Sequence, residues 1–377
     1  MAIKPVSRFL ASRQGIILIG AVIGILAPLL QKFGNPVNMG ICVACFERDI
    51  AGALGLHRAA VVQYIRPEIP GFILGSLAAA LLFKDFRART GSAPLVRFVL
   101  GFCAMIGALV FLGCPWRTLL RLAGGDLNAI LGLTGLTIGI AIGDQFLKHG
   151  YTLGRSRPTY TSAGLIMPIF ALALLLLLFF APQFSANGPI FFSAKGPGSM
   201  HAPIALSLAV GLIVGVIAQR TRFCTMGSIR DVLLVGDLHL MSGIIALTVA
   251  AFVTNLILGQ VHVGFSMQPV AHSNHLWNAL GMVLAGLAFV LAGGCPGRQL
   301  ILSGEGDGDA AIFVLGMLCG AAFAHNFALA AGPDSMVDGV LKVGGPSIWG
   351  MWAVGTGIVI CLWIGWTMRE KFEEARP

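Results

Sequence analysis

From Ser162 to Pro182 the chain reads SAGLIMPIFALALLLLLFFAP, a run without one charged residue. About 20 such residues span the hydrocarbon of a bilayer as a helix. Comparable apolar runs recur along the chain. Hydrophobic residues make up 56% of its 377 positions and charged residues 11%, against about 25% charged in soluble domains. These features predict an all-α polytopic membrane protein of about ten transmembrane helices. The spans are expected near 15–33, 68–84, 98–113, 127–147 and 162–182, then near 201–219, 237–259, 277–293, 309–331 and 347–367. The 50 glycines suit close helix packing and broken helices in lipid. The basic start followed by an apolar stretch reads as a retained first helix, not a cleaved signal, because no small-residue cleavage site follows.

The formal charge of +9 is accounted for by the positive-inside rule, so nucleic acid is not an expected partner. With both termini in the cytoplasm, most lysines and arginines fall on the cytoplasmic side. Cysteine spacing gives neither a zinc pattern nor a disulfide framework. No phosphate-binding loop appears, which argues against direct ATP drive, and no cofactor is expected.

The chain repeats itself. CVACFERDI begins at Cys42 and CTMGSIRDV at Cys224, so Cys42, Arg48 and Asp49 align with Cys224, Arg230 and Asp231. FLGCPWR and AGGCPGR then align Gly113, Cys114, Pro115 and Arg117 with Gly294, Cys295, Pro296 and Arg298. Two motifs in one order at almost one offset define two halves, 1–183 and 201–377, joined by a periplasmic linker at 184–200. Five spans per half is an odd number, so the second half must enter the membrane from the opposite side.

Proline is favoured at the first position of a helix. Gly-Cys-Pro therefore reads as the end of one span and the start of a short helix, for example Pro296 to about Ser303. Such segments are tolerated at membrane depth only inside protein or beside water. Re-entrant segments are expected near 38–56, 114–125, 221–234 and 295–306. A helix N-terminus attracts anions, and Arg117 and Arg298 add charge. The thiols of Cys42, Cys45, Cys114, Cys224 and Cys295 are weak donors suited to a soft, polarizable sulfur or selenium anion. Arg48 and Arg230 line the same path or pair with nearby carboxylates. Asp49 and Asp231 are the repeat-paired candidates for proton coupling. Cys103, Cys319 and Cys361 read as packing residues, and Glu305, Asp307 and Asp309 as a solvated loop or helix cap. His57, His262, His272 and His275 read as surface histidines in outer loops. No metal site is expected.

With its inverted halves and Gly-Cys-Pro-x-Arg elements, the chain resembles the YeeE/YedE membrane proteins, which include bacterial thiosulfate transporters. The stretch NMGICVACFERDIAGALGLHRAAVVQYIRPEIPG, residues 38–71, is similar to the branch known as YedE-type putative selenium transporters, or selenium metabolism membrane proteins. The resemblance implies an inner-membrane, multi-pass protein that takes up a small sulfur or selenium anion such as thiosulfate or selenite. It implies a thiol-lined path at Cys42, Cys114, Cys224 and Cys295, and a TusA-like soluble sulfur or selenium carrier as a cytoplasmic partner. Cys45 departs from the family pattern. It leaves open a second reading, a membrane thiol or selenium redox enzyme using the Cys42/Cys45 pair. The transport reading makes the chain no enzyme.

Overall fold

The computed structural model describes residues 9–180 and 190–370. Lys4, Arg8, Lys371 and Arg376 at the two ends, and residues 184–189 of the linker, lie outside the described residues. The first half contains α1 (Arg13–Lys32), α2 (Val43–Ala53), α3 (Glu68–Leu82), α4 (Pro94–Phe111), α5 (Pro115–Ala123), α6 (Asn128–Lys148) and α7 (Ile166–Phe180). The second half contains α8 (Ile204–Thr221), α9 (Thr225–Val235), α10 (His239–Ile257), α11 (His275–Ala292), α12 (Pro296–Gly304), α13 (Gly308–Asn326) and α14 (Ile348–Thr367). Among the described residues eight helical stretches are long and apolar enough to cross a membrane, and α3 and α7 are apolar helices of 15 residues. The protein is therefore an all-α polytopic membrane protein. Two short two-stranded ribbons lie outside the helices.

The long helices pack across the halves: α1 against α10, α3 against α8, α4 against α13, and α6 against α11. Small residues make these crossings close. A Cβ added at Gly71 would stand 2.8 Å from the Cα of Gly211 on the facing helix. Backbones this near leave no room for a side chain, which is how glycine favours helix association in lipid.

The four short helices α2, α5, α9 and α12 sit inside this frame. Each starts at a cysteine: Cys42, Cys114, Cys224 and Cys295 are the N-caps. Pro115 and Pro296 occupy the first turns of α5 and α12, where a missing N–H costs nothing. The preceding spans end in left-handed backbone, at Leu112 with φ 62° and at Gly293 with φ 83°. Glycine takes that conformation freely, whereas a leucine is strained there.

Candidate functional site

Two clusters of the same plan are built from the eight helix and loop ends around these caps. In the first cluster the Cys42 side chain meets that of Cys114, which also lies against the backbone N–H groups of Ala44 and Arg117. The Cys42 Sγ accepts from the Cys45 N–H at 3.4 Å. In the second cluster Cys224 meets Cys295, which lies against the N–H groups of Thr225 and Arg298. The Cys224 Sγ accepts from the Gly227 N–H at 3.3 Å. Two helix N-termini thus converge on one thiol pair, twice. Their unsatisfied N–H groups and dipoles give each cluster a positive character without a titrating group.

The arginines differ sharply between the clusters. Arg117 is fully buried and its guanidinium is enclosed. Its Nε donates to the Asn38 carbonyl at 3.3 Å and its Nη2 to the carbonyls of Pro269 and Val270 at 3.2 and 3.1 Å. Its Nη1 donates to the Leu112 carbonyl, and to the Cys45 Sγ at 3.7 Å. Arg298 makes one ion pair, to Glu305 at 3.3 Å, and lines two cavities. One, of about 520 Å³, reaches Cys224, Gly227, Arg222 and Arg230. The other, of about 360 Å³, is ringed by Arg87, Arg89, Arg222, Arg298, Asp85 and Glu305. Cys42, Cys45 and Cys114 are sealed, whereas Cys224 keeps 5% of its surface and faces the larger cavity.

Between the clusters stands Trp116, the residue between Pro115 and Arg117. Its ring packs edge-on to Phe72 and Phe223 and fills the space that Gly297 leaves open, 2.5 Å from where a Cβ on Gly297 would be. It is 1% exposed, and its indole N–H has no partner among the described residues.

The remaining expected site residues form ion pairs. Asp49 is clamped by Arg48 at 2.6 Å and by Arg66 at 2.7 Å, all three buried. Asp231 pairs with Arg230 at 2.7 Å in a partly exposed position beside the open cavity. Asp307 caps α13 and pairs with Arg89, while Asp309 is buried and receives the N–H groups of Gly91 and Ser92. Two histidines expected at the surface are buried instead. His57 bonds the Arg48 carbonyl and His272 the Val110 carbonyl, because the outer loops fold down onto the ends of α2 and α4. Cys103 and Cys361 pack against each other inside the bundle, and Cys319 is exposed. Among the described residues no group of acidic, histidine and cysteine side chains could hold a metal ion.

Sequence reading passed over Arg66, Arg121, Trp116 and Glu47. Arg121 is buried against Asp126 at 2.6 Å. It lies one turn after Arg117, a spacing that puts both on one helix face. Glu47 is an acid within an apolar surround, the usual mark of a working residue in a membrane protein.

A polytopic helical protein with two thiol-capped, arginine-bearing clusters is the class that fold and site define. A family model described as Sulphur transport matches residues 220–376, which include the second cluster whole. A stretch of 99 residues is 33% identical to a protein of Spirochaeta thermophila named thiosulfate transporter TsuA, covering 26% of this chain. That stretch spans 29% of the relative's length. The likeness to the sulphur-transport family thus rests on the second half of the chain.

Proposed function

We propose that the chain takes up a small sulfur-containing anion across the inner membrane, along a path through both clusters. The observation that carries this reading is the second cluster: beside two helix N-termini and a thiol pair, Cys224 and Arg298 open onto a cationic cavity of about 520 Å³. Helix N-termini and guanidinium groups attract the anion, and S–H groups suit its soft sulfur better than a strongly hydrated oxyanion. The family match and the name of the Spirochaeta relative support a sulfur cargo. Selenite and related selenium anions fit the same chemistry.

The halves are read as an inverted repeat, with α1–α7 related to α8–α14. The packing supports this, because α1 on α10 and α3 on α8 exchange under the relation, as do α6 on α11 and α4 on α13. With both termini in the cytoplasm, the open cavity faces inward and the sealed cluster faces the periplasm. Trp116 is then the barrier between two binding positions. A TusA-like carrier is the partner that would take the cargo at the cytoplasmic mouth. Uptake of an anion into a negative interior is uphill by about 2.3 kcal/mol per charge per 100 mV, so the cycle needs a driving ion or immediate capture.

A redox enzyme based on Cys42 and Cys45 fits less well. Thiol exchange needs an accessible thiolate, and both thiols are enclosed, with Cys45 between Leu112 and Arg117. Uptake of labelled thiosulfate and selenite into proteoliposomes, measured side by side, tests the proposal. Transport is expected for at least one of them and its loss in Cys295→Ala; unchanged uptake in that variant would remove the cysteine path.

A further inference from the structure

Glu47 lies one turn into α2, beside the ion-paired Arg48 and Asp49, yet its carboxyl turns away from them. It is 1% exposed, and neither oxygen has a hydrogen-bond partner among the described residues. Its surroundings come from five helices and include Ile50, Ile73, Phe170, Leu300 and Val314. None of the other side chains lining this small cavity titrates. On its own helix, Arg48 and Asp49 close on each other and on Arg66. A carboxylate stripped of water and of donors is not sustained in such a setting, so the neutral acid is the form that fits. A leucine or methionine would pack there without that constraint. An ionisable group kept at this depth marks a working residue.

The other half shows what the position looks like without the acid. The repeat mate of Glu47 is Ile229, which lines an apolar groove of about 370 Å³ between α5, α6, α9 and α10. No described helix covers that groove, because α14 packs on α11 and α4. Its mate α7 packs on α3 and α12, over Glu47. At this repeat position the chain thus places a carboxyl only on the covered side, among residues of α3 and α7 of its own half and Leu300 on the arginine-bearing α12 of the other.

We propose that Glu47 is a proton carrier that couples anion uptake to proton movement. The inference rests on the transport reading above. In the arrangement described here the acid holds one proton. When the halves shift and water reaches the cavity, the O–H proton passes to water on the cytoplasmic side. The carboxylate is reprotonated from the periplasmic side before the next anion crosses. One proton then accompanies each anion and offsets one of its negative charges.

The test uses the full chain in proteoliposomes with thiosulfate as the probe and a pH-sensitive dye in the lumen. In the wild type, thiosulfate uptake is expected to acidify the lumen. Glu47→Gln keeps the shape and removes the proton site. Its exchange of labelled for unlabelled thiosulfate should persist, while accumulation under about 100 mV falls about fiftyfold and acidification disappears. Acidification that survives in Glu47→Gln overturns the proposal, and so does wild-type uptake without proton movement. Should that variant fail to fold, the infrared carbonyl band of a protonated acid decides in Asp144→Asn, which removes the other buried carboxyl with no partner among the described residues: it must be present at neutral pH and shift when thiosulfate is added. Its absence overturns the proposal. A wild type that moves no thiosulfate strikes the transport reading instead, and the same band still reports whether a buried acid holds a proton.

Discussion

The two clusters share one plan, and at three of the repeat-related positions where they differ a side chain is traded for glycine. Leu112, Cys45 and Trp116 in the first stand where the second has Gly293, Gly227 and Gly297. Each bulky residue closes something. Leu112 turns a carbonyl onto Arg117, Cys45 adds a sulfur against the same guanidinium, and Trp116 fills the centre. Gly227 and Gly293 line the open cavity at Cys224 and Arg298, while the space at Gly297 is taken by the Trp116 ring. The loop after α10 completes the difference by bringing the Pro269 and Val270 carbonyls onto Arg117. The corresponding loop after α3 instead lends Arg87 and Arg89 to the wall of an open cavity. A duplicated frame has thus been specialised into a filled site and an empty one by trading side chains for glycine.

The arginines give the largest test of this contrast. Arg117→Ala leaves several buried carbonyls without their donor and is expected to cost about 3–5 kcal/mol of stability. Arg298→Ala removes a partly exposed ion pair, so its stability cost should stay within about 1 kcal/mol, while thiosulfate uptake falls by about tenfold or more because a charge-assisted contact to the anion is lost. Thermal unfolding in detergent and uptake in proteoliposomes separate the two effects. Equal destabilisation by both variants would break the distinction between a structural and a working arginine.

Trp116→Gly is next. Removing a buried indole costs about 3–5 kcal/mol, less if the site collapses, and it makes the central position alike in both halves. A passive thiosulfate leak through unenergised vesicles is the expected gain. The converse variant, Gly297→Ala, places a Cβ against the Trp116 ring and should slow uptake without a leak.

Thiol labelling sharpens the comparison with a smaller but cleaner signal. A membrane-impermeant maleimide applied to the open face should modify Cys224 at least about tenfold faster than Cys42, Cys45 or Cys114, since reactivity follows access to the thiolate. Single-cysteine variants read by mass shift give the rates. Equal protection of Cys224 would mean that the cavity does not admit solutes.

Much of this was legible in the residues. Helices lie within a few residues of the ten expected places, and at eight of them the helical stretch is long and apolar enough to cross a membrane. The short helix expected from Pro296 to about Ser303 runs from Pro296 to Gly304. Its start is fixed by a cap and a proline that act locally. What the sequence hid depends on which loop lies over which helix. His57 and His272 looked exposed because they fall between the apolar spans, in outer loops, yet those loops fold onto α2 and α4. Arg66 closes on Asp49 across seventeen positions, a pairing with no local signature. The substitutions to glycine were visible in the aligned halves, but their consequence, an open site opposite a filled one, needed the packing.

The last test concerns Glu305, the carboxylate that Arg298 holds while the cavity is empty. Burial keeps its carboxyl above the ordinary glutamate range, against the opposing pull of Arg298 and Arg89. As pH falls through that raised value, Glu305 takes up a proton sooner than a free glutamate, and Arg298 loses its internal competitor for the anion. Thiosulfate remains a dianion throughout, so its affinity at the open site should rise with acidity, by up to about fivefold if the pair is worth up to about 1 kcal/mol. The sign for folding runs the same way. The folded state binds the proton more tightly than the unfolded chain, so stability rises as pH drops from the raised value towards the ordinary one. Glu305→Gln should bind thiosulfate at neutral pH as tightly as the wild type does in acid, with a flat profile between. Calorimetric titration of both proteins at several pH values reads the difference. An affinity that weakens as pH falls would show that Glu305 organises Arg298 for the anion and does not compete for it, making the open site as internally locked as the sealed one.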